Sequence, residues 1–221
     1  MSLSLEISSH QEVVSALSHL RSISATAQNF RDTAVGAIAT TLEALLHLRD
    51  SGSAESVEQA QRAIAIARSS QLDPALKDIP KLVAMTHFVD LYWSLRRFDP
   101  TQAMSKMQAM QATLEVLREP QSLADDGFLY VPVYHRIQMA FGNHNGAVRK
   151  GQDGTQLLAF EWIPNQDVFG LGFLLSGICM AHKNAADGQK SEGMLHEGIR
   201  TLTSRYAQAQ LSSVLICDRA I

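Results

Sequence analysis

Apolar residues recur at helical spacing from one end of this chain to the other, and alternating period-two stretches are almost absent. That contrast predicts an all-α fold. Val13, Val14, Leu17, Leu20 and Ile23 form one stripe, giving a helix over 9–24 with Ser9 and Glu12 as its capping box. Val35, Ile38, Leu42, Leu45 and Leu46 give a second over 29–49, ended by Asp50-Ser-Gly-Ser53. An alanine-rich third covers 54–71 and stops before Asp73-Pro74. Pro80 opens a fourth that runs to Phe98, and Asp99-Pro100 supplies the N-cap and first-turn proline of a fifth, closed by Pro120. The run Phe128–Phe141 reads equally as helix or strand, and the polar stretch Gly142–Gly154 as a loop or insertion. Helices resume over 164–183 and 187–204, and a last one begins by Gln208.

These helices fall into pairs, 29–71, 80–118 and 165–204, and the second helix of each pair carries the same rhythm. Ala60, Ile64 and Ala67 stand at i, i+4 and i+7, as do Ala103, Met107 and Met110, then Ser191, Leu195 and Gly198. A small residue lets a neighbouring helix approach, and the larger one four positions on fills the space behind it. This is the packing-helix rhythm of tetratricopeptide (TPR) repeats. The pair-to-pair distance, about 45–50 residues, is longer than the roughly 34 of a regular repeat. The expected architecture is therefore TPR-like: antiparallel helix pairs stacked as a right-handed superhelical array. Residues 1–221 would form a single helical-repeat region with a loop or insertion over 120–160.

Composition narrows the function classes. With 46% hydrophobic residues the chain is not intrinsically disordered, and two cysteines, Cys179 and Cys217, make no disulfide scaffold. The longest apolar run, Val168–Ala181, falls short of the roughly 18–20 residues that cross a bilayer. Nineteen basic against 22 acidic residues leave a formal charge of −3, and the only adjacent arginines are Arg96 and Arg97. Direct nucleic-acid binding, which needs a basic stripe, is not expected.

No catalytic constellation emerges, and neither an enzyme nor a cofactor is expected. The eight histidines include no H-E-x-x-H pair, and no metal site is expected. Gly146–Gly151 has the glycine spacing of a phosphate-binding loop. Gln152-Asp153 follows where Lys-Ser/Thr is required, and no hydrophobic strand feeds it. Gly170 and Gly172, inside an apolar helix, suit close helix packing better than a dinucleotide turn.

Two helices are apolar on more than one face. In 80–98, Phe88, Tyr92 and Trp93 cannot all address one neighbour, and 166–183 repeats the pattern with Phe169 and Phe173. Such a helix is either buried on both sides or lines a groove for a partner peptide. If a groove, the candidate partner-binding residues are Tyr92, Trp93, Phe169 and Phe173, with Arg96 at the rim to pair with an acidic residue.

Ala159-Phe-Glu-Trp-Ile-Pro164, followed by Asn-Gln-Asp-Val-Phe-Gly-Leu-Gly-Phe, resembles the TPR-containing cohesin-loading factor family. Trp162, Ile163 and Pro164 match the family's tryptophan-hydrophobic-proline lead-in to an apolar helix, and Gly188–Arg200 its following helix. The resemblance implies a non-enzymatic adaptor, the smaller subunit of the cohesin loader. It implies a large HEAT-repeat partner of the Nipped-B/adherin type, and a nuclear role in sister chromatid cohesion. Family members are longer, so the chain is expected to be an internal or truncated portion. Trp162 and Pro164 are expected to fix the start of their helix, with the indole packed on a neighbouring repeat. A different reading, from the aliphatic helices alone, is an all-helical ligand-sensing domain of a transcription regulator.

Overall fold

Asp32 and Asp99 each end one helix and begin the next, and such corners set the path of this chain. The computed structural model describes residues 10–49, 54–118, 127–132, 148–150, 156–181 and 185–217. Its helices are α1 (His10–Phe30), α2 (Thr33–Arg49), α3 (Ala54–Ser70), α4 (Pro80–Arg96), α5 (Pro100–Leu117), α6 (Asn165–Met180) and α7 (Ala185–Cys217). Between α5 and α6 lie three strands, β1 (Phe128–Pro132), β2 (Val148–Lys150) and β3 (Gln156–Glu161), in an antiparallel sheet of order β1-β3-β2. The fold is thus mainly helical with a small sheet, which corrects the all-α expectation.

The two corners share one geometry. Arg31 (φ 56°) and Phe98 (φ 55°) both adopt the left-handed conformation. At the first, Asp32 N–H donates to Ala27 O (2.8 Å) and Arg31 N–H to Gln28 O (3.1 Å); at the second, Asp99 N–H donates to Ser94 O and Phe98 N–H to Leu95 O. This double closure is the Schellman arrangement, in which glycine is the usual left-handed residue. Each aspartate then caps the next helix through its side chain, Asp32 Oδ1 accepting from Val35 N–H and Asp99 Oδ1 from Gln102 N–H.

The chain forms two compact units. The first comprises residues 1–90 with 126–162. Here α1 packs on α2 through Leu20, Ala39 and Leu46, and α2 packs on α3. Arg21 of α1 holds Glu43 of α2 (Nε–Oε1, 2.7 Å), and Arg68 of α3 holds Asp90 at the end of the unit's share of α4 (Nε–Oδ2, 3.0 Å). One core cluster joins Ala34, Ala37 and Ile38 to Leu76, Ile79 and Leu82, and then to Leu129 and Val131 of β1. The strand's burial alternates, as period two demands, so the sheet region completes a helical core. The stretch expected as a loop or insertion over 120–160 thus carries strands β1 and β2 and most of β3. Val148–Lys150, inside the expected 142–154 loop, forms β2 against β3. The remainder of that stretch, and residues 133–141, lie outside the described residues.

The second unit comprises residues 91–125 with 163–221. Within it α5 packs on α6, and α6 lies against α7 along its length. No break separates 204 from 208: α7 is continuous, because nothing between Gly198 and Cys217 is a glycine or proline.

Candidate partner-binding surface

All five residues singled out from the sequence fall in the second unit. Tyr92 and Trp93 lie on the last turns of α4. Tyr92 is 42% exposed, whereas Trp93 is 6% exposed and belongs to the core. Of the three aromatics that could not share one neighbour, Phe88 and Trp93 are buried and Tyr92 faces solvent. Arg96, four residues beyond Tyr92, shares its helical face and is exposed.

Trp93 reaches the surface through another side chain. The guanidinium of Arg97, one turn on, lies 5.7 Å from the indole centroid. Phe169 and Phe173, half-buried on α6, are one turn apart. Phe169 carries a guanidinium of its own, that of Arg118 at 5.6 Å, and Arg118 is also held by Glu115 (2.9 Å). Cation–π contacts of this length are worth about 0.5–1 kcal/mol at exposed sites. Two aromatics selected from the sequence therefore sit beneath arginines, so these surfaces are basic as well as aromatic. Arg97 was legible as an i+4 neighbour of Trp93; the link between Arg118 and Phe169, distant in sequence, was not.

The scaffold beneath α6 is tight. Gln111 of α5 donates to Ser176 Oγ (3.3 Å), and Cys179 Sγ lies 3.5 Å from Met104 Sδ. On the opposite side Ser191 Oγ of α7 donates to Gly177 O (2.8 Å). A β-carbon on Gly177 would stand 2.7 Å from Leu195. The triplet of α7, Ser191, Leu195 and Gly198, lies in this packing. Ala60, Ile64, Ala67, Ala103, Met107, Met110, Ser191 and Gly198 are all buried, and Leu195 is half-buried.

Where α6 ends, Ala181, Gly188, Ser191, Glu192, Leu195, His196 and Ile199 line an open, mainly apolar notch of about 350 Å³. Among the described residues no cluster of three histidine, cysteine or acidic side chains is arranged to hold a metal ion. No described helix is long and apolar enough to cross a membrane.

The lead-in to α6 joins sheet and helix. Trp162 N–H donates to Gly127 O (2.7 Å), and the half-buried indole packs on the cluster built by α2, α4 and β1. Pro164 stands at the N-cap position of α6 in extended conformation, its carbonyl accepting from Val168 N–H (3.0 Å). Proline's fixed φ presets this start without a side-chain cap.

Among known proteins, the family model described as cohesin loading factor matches residues 1–217. No curated protein and no solved structure matches the chain.

Proposed function

This chain belongs to the cohesin loading factor family, and from that premise we propose that it acts as a non-enzymatic adaptor of the cohesin loading complex. Membership implies a role in cohesin loading, an interaction with the loading machinery and a chromatin-related nuclear setting. In the proposed role the chain binds a large HEAT-repeat subunit of the Nipped-B/adherin type and supports sister chromatid cohesion in the nucleus. It reaches cohesin and chromatin through that partner, without gripping nucleic acid or membrane itself.

The observation that carries this reading is the extent of the match, residues 1–217 of 221. The architecture supports it. In the first unit α1 packs on α2 and α2 on α3, in the second α5 on α6 and α6 on α7, and the triplet at 191–198 lies in the last of these contacts as it would in a TPR-like array. We read residues 1–221 as one such region carrying a sheet insertion.

The proposed contact residues are Tyr92, Arg96, Phe169 and Phe173, with Trp93 acting from beneath. The test is co-purification of the chain with the N-terminal segment of the HEAT-repeat subunit, repeated with Tyr92→Ala, Arg96→Ala and Phe173→Ala. At least one aromatic truncation should weaken capture about thirtyfold while leaving the melting temperature unchanged, the behaviour of an interface hot spot. Capture of the partner by all the folded variants at wild-type strength would place the interface elsewhere. Failure of the wild-type chain to capture it would overturn the adaptor reading.

A further inference from the structure

We propose that the corner between α4 and α5 is a docking point for an acidic segment of a protein partner, held by Arg97 and Phe98. The proposal rests on the adaptor reading and names the chemistry of what the surface receives.

Arg97 is the first ground. Its guanidinium lies over Trp93, 5.7 Å from the ring centroid, and Trp93 is itself 6% exposed and therefore a fixed platform. A guanidinium carries five N–H donors in one plane. Among the described residues, no carboxylate or other side-chain acceptor engages them. The result is a planar fork of donors, beside a fixed ring, with the geometry a carboxylate fits.

Phe98 is the second. Its φ of 55° is a conformation in which a β-carbon is disfavoured, and its ring is 85% exposed. The corresponding position in the α1–α2 corner carries Arg31, a residue at home in water. An exposed phenylalanine in a strained position, contributing little to the core of its own unit, is a feature that a partner would use.

Charge selects the occupant. Arg96 and Arg97 are exposed at the end of α4, and Lys106 of α5 donates to Ser94 Oγ of α4 (2.6 Å). Asp99, the carboxylate within the corner, accepts from Gln102 N–H and is thereby turned onto α5. A locally basic spot on a chain of net charge −3 attracts an acidic segment, and an aliphatic or aromatic side chain beside the carboxylates would cover Phe98. Two adjacent arginines do not make the basic stripe that tracks a nucleic-acid backbone.

The test uses the whole chain and a fluorescein-labelled peptide alternating Asp or Glu with Leu. A counterpart with Lys at every acidic position and a single-stranded DNA oligonucleotide serve as comparisons. The acidic peptide should bind, and bind more weakly as salt is raised. Arg97→Gln and Phe98→Ser should each cost about tenfold in affinity, the loss expected of a moderately important contact. Arg97→Lys should also weaken binding, because the charge stays but the planar fork is lost. Arg31→Gln, at the matching corner, should change nothing, and each variant's melting temperature checks its folding. Equal binding of the lysine peptide, or wild-type affinity in folded Arg97→Gln and Phe98→Ser, would overturn the proposal. Tighter binding of the oligonucleotide would overturn it in favour of a nucleic-acid surface. Capture of the HEAT-repeat subunit is measured in parallel. Lost capture with intact peptide binding counts against the adaptor reading, and intact capture with wild-type peptide affinity in both variants counts against this inference alone.

Discussion

The β-carbon that Gly198 lacks would stand 2.9 Å from the carbonyl oxygen of Gly170 and 2.8 Å from Leu174 Cγ. One of those neighbours is backbone and cannot swing away, so the two helices meet here at a separation that only hydrogen permits. Gly198→Ala should destabilise the protein by about 1–3 kcal/mol, the usual cost of overpacking. Gly170→Ala should cost less, since its nearest obstacle is the flexible Leu202 side chain. Gly188 and Gly193 lie on the same helix with nothing within 4 Å of an added β-carbon. Alanine at either should stabilise by about 0.5–1 kcal/mol. Urea midpoints of the four variants check the series, and a Gly198→Ala protein as stable as wild type would refute the close approach.

Arg31→Gly and Phe98→Gly should both raise stability, because glycine enters the left-handed region without the penalty of roughly 1–2 kcal/mol that other residues incur. Part of that gain is offset by the greater freedom glycine gives the unfolded chain. The expected net effect is a few tenths of a kcal/mol to about 1 kcal/mol. A marked loss of stability in Phe98→Gly would show that the exposed ring packs against its own fold. Thermal melts of the two variants distinguish these outcomes.

The helices were legible because their burial is one-sided. Ala60, Ile64 and Ala67 announce the packing face of α3, and the same spacing announces α5 and α7. The sheet was not legible for the opposite reason. Phe128-Leu-Tyr-Val-Pro132 and Gln156-Leu-Leu-Ala-Phe-Glu161 are apolar on both faces, so the alternation that marks a half-exposed strand is erased. The continuity of α7 from 204 to 208 was not legible, although Arg205 in that interval faces α6, its Nε 3.4 Å from Asp167 Oδ1. Of the candidate surface, Tyr92 was legible as one aromatic too many for a single face. The left-handed Phe98 was not, since no glycine marks it.

Trp162 ties the sheet to the helical core, and its truncation should show how much the first unit depends on that tie. Trp162→Ala should cost about 3 kcal/mol, the low end for a large aromatic because the ring is only half-buried. Trp162→Phe should cost much less. It keeps a ring on the cluster and removes an indole N–H that is buried without a partner among the described residues. Chemical denaturation of both variants measures the difference. Equal stability of Trp162→Ala and wild type would show that the indole contributes no packing.

Acid sensitivity should trace in part to His87 on α4. Burial holds its pKa below the ordinary 6.5, and the neighbouring Asp90 charge only partly opposes that shift. Above about pH 6.5 the ring is neutral in folded and unfolded chains alike, and the group adds no pH dependence. As pH falls below that value the unfolded chain takes up a proton that the folded chain resists, so stability declines. Asp73 acts in a separate window. The Thr33 hydroxyl, followed by the Ala75 N–H, holds its carboxyl below the ordinary 3.8. Its contribution is present above that value and lost only in stronger acid. His87→Gln should therefore flatten the stability profile between about pH 7 and pH 5 and leave the more acidic limb in place. Urea midpoints across that range, for wild type and variant side by side, make the comparison. A variant that keeps the full wild-type slope would show that another group carries the proton linkage in this window.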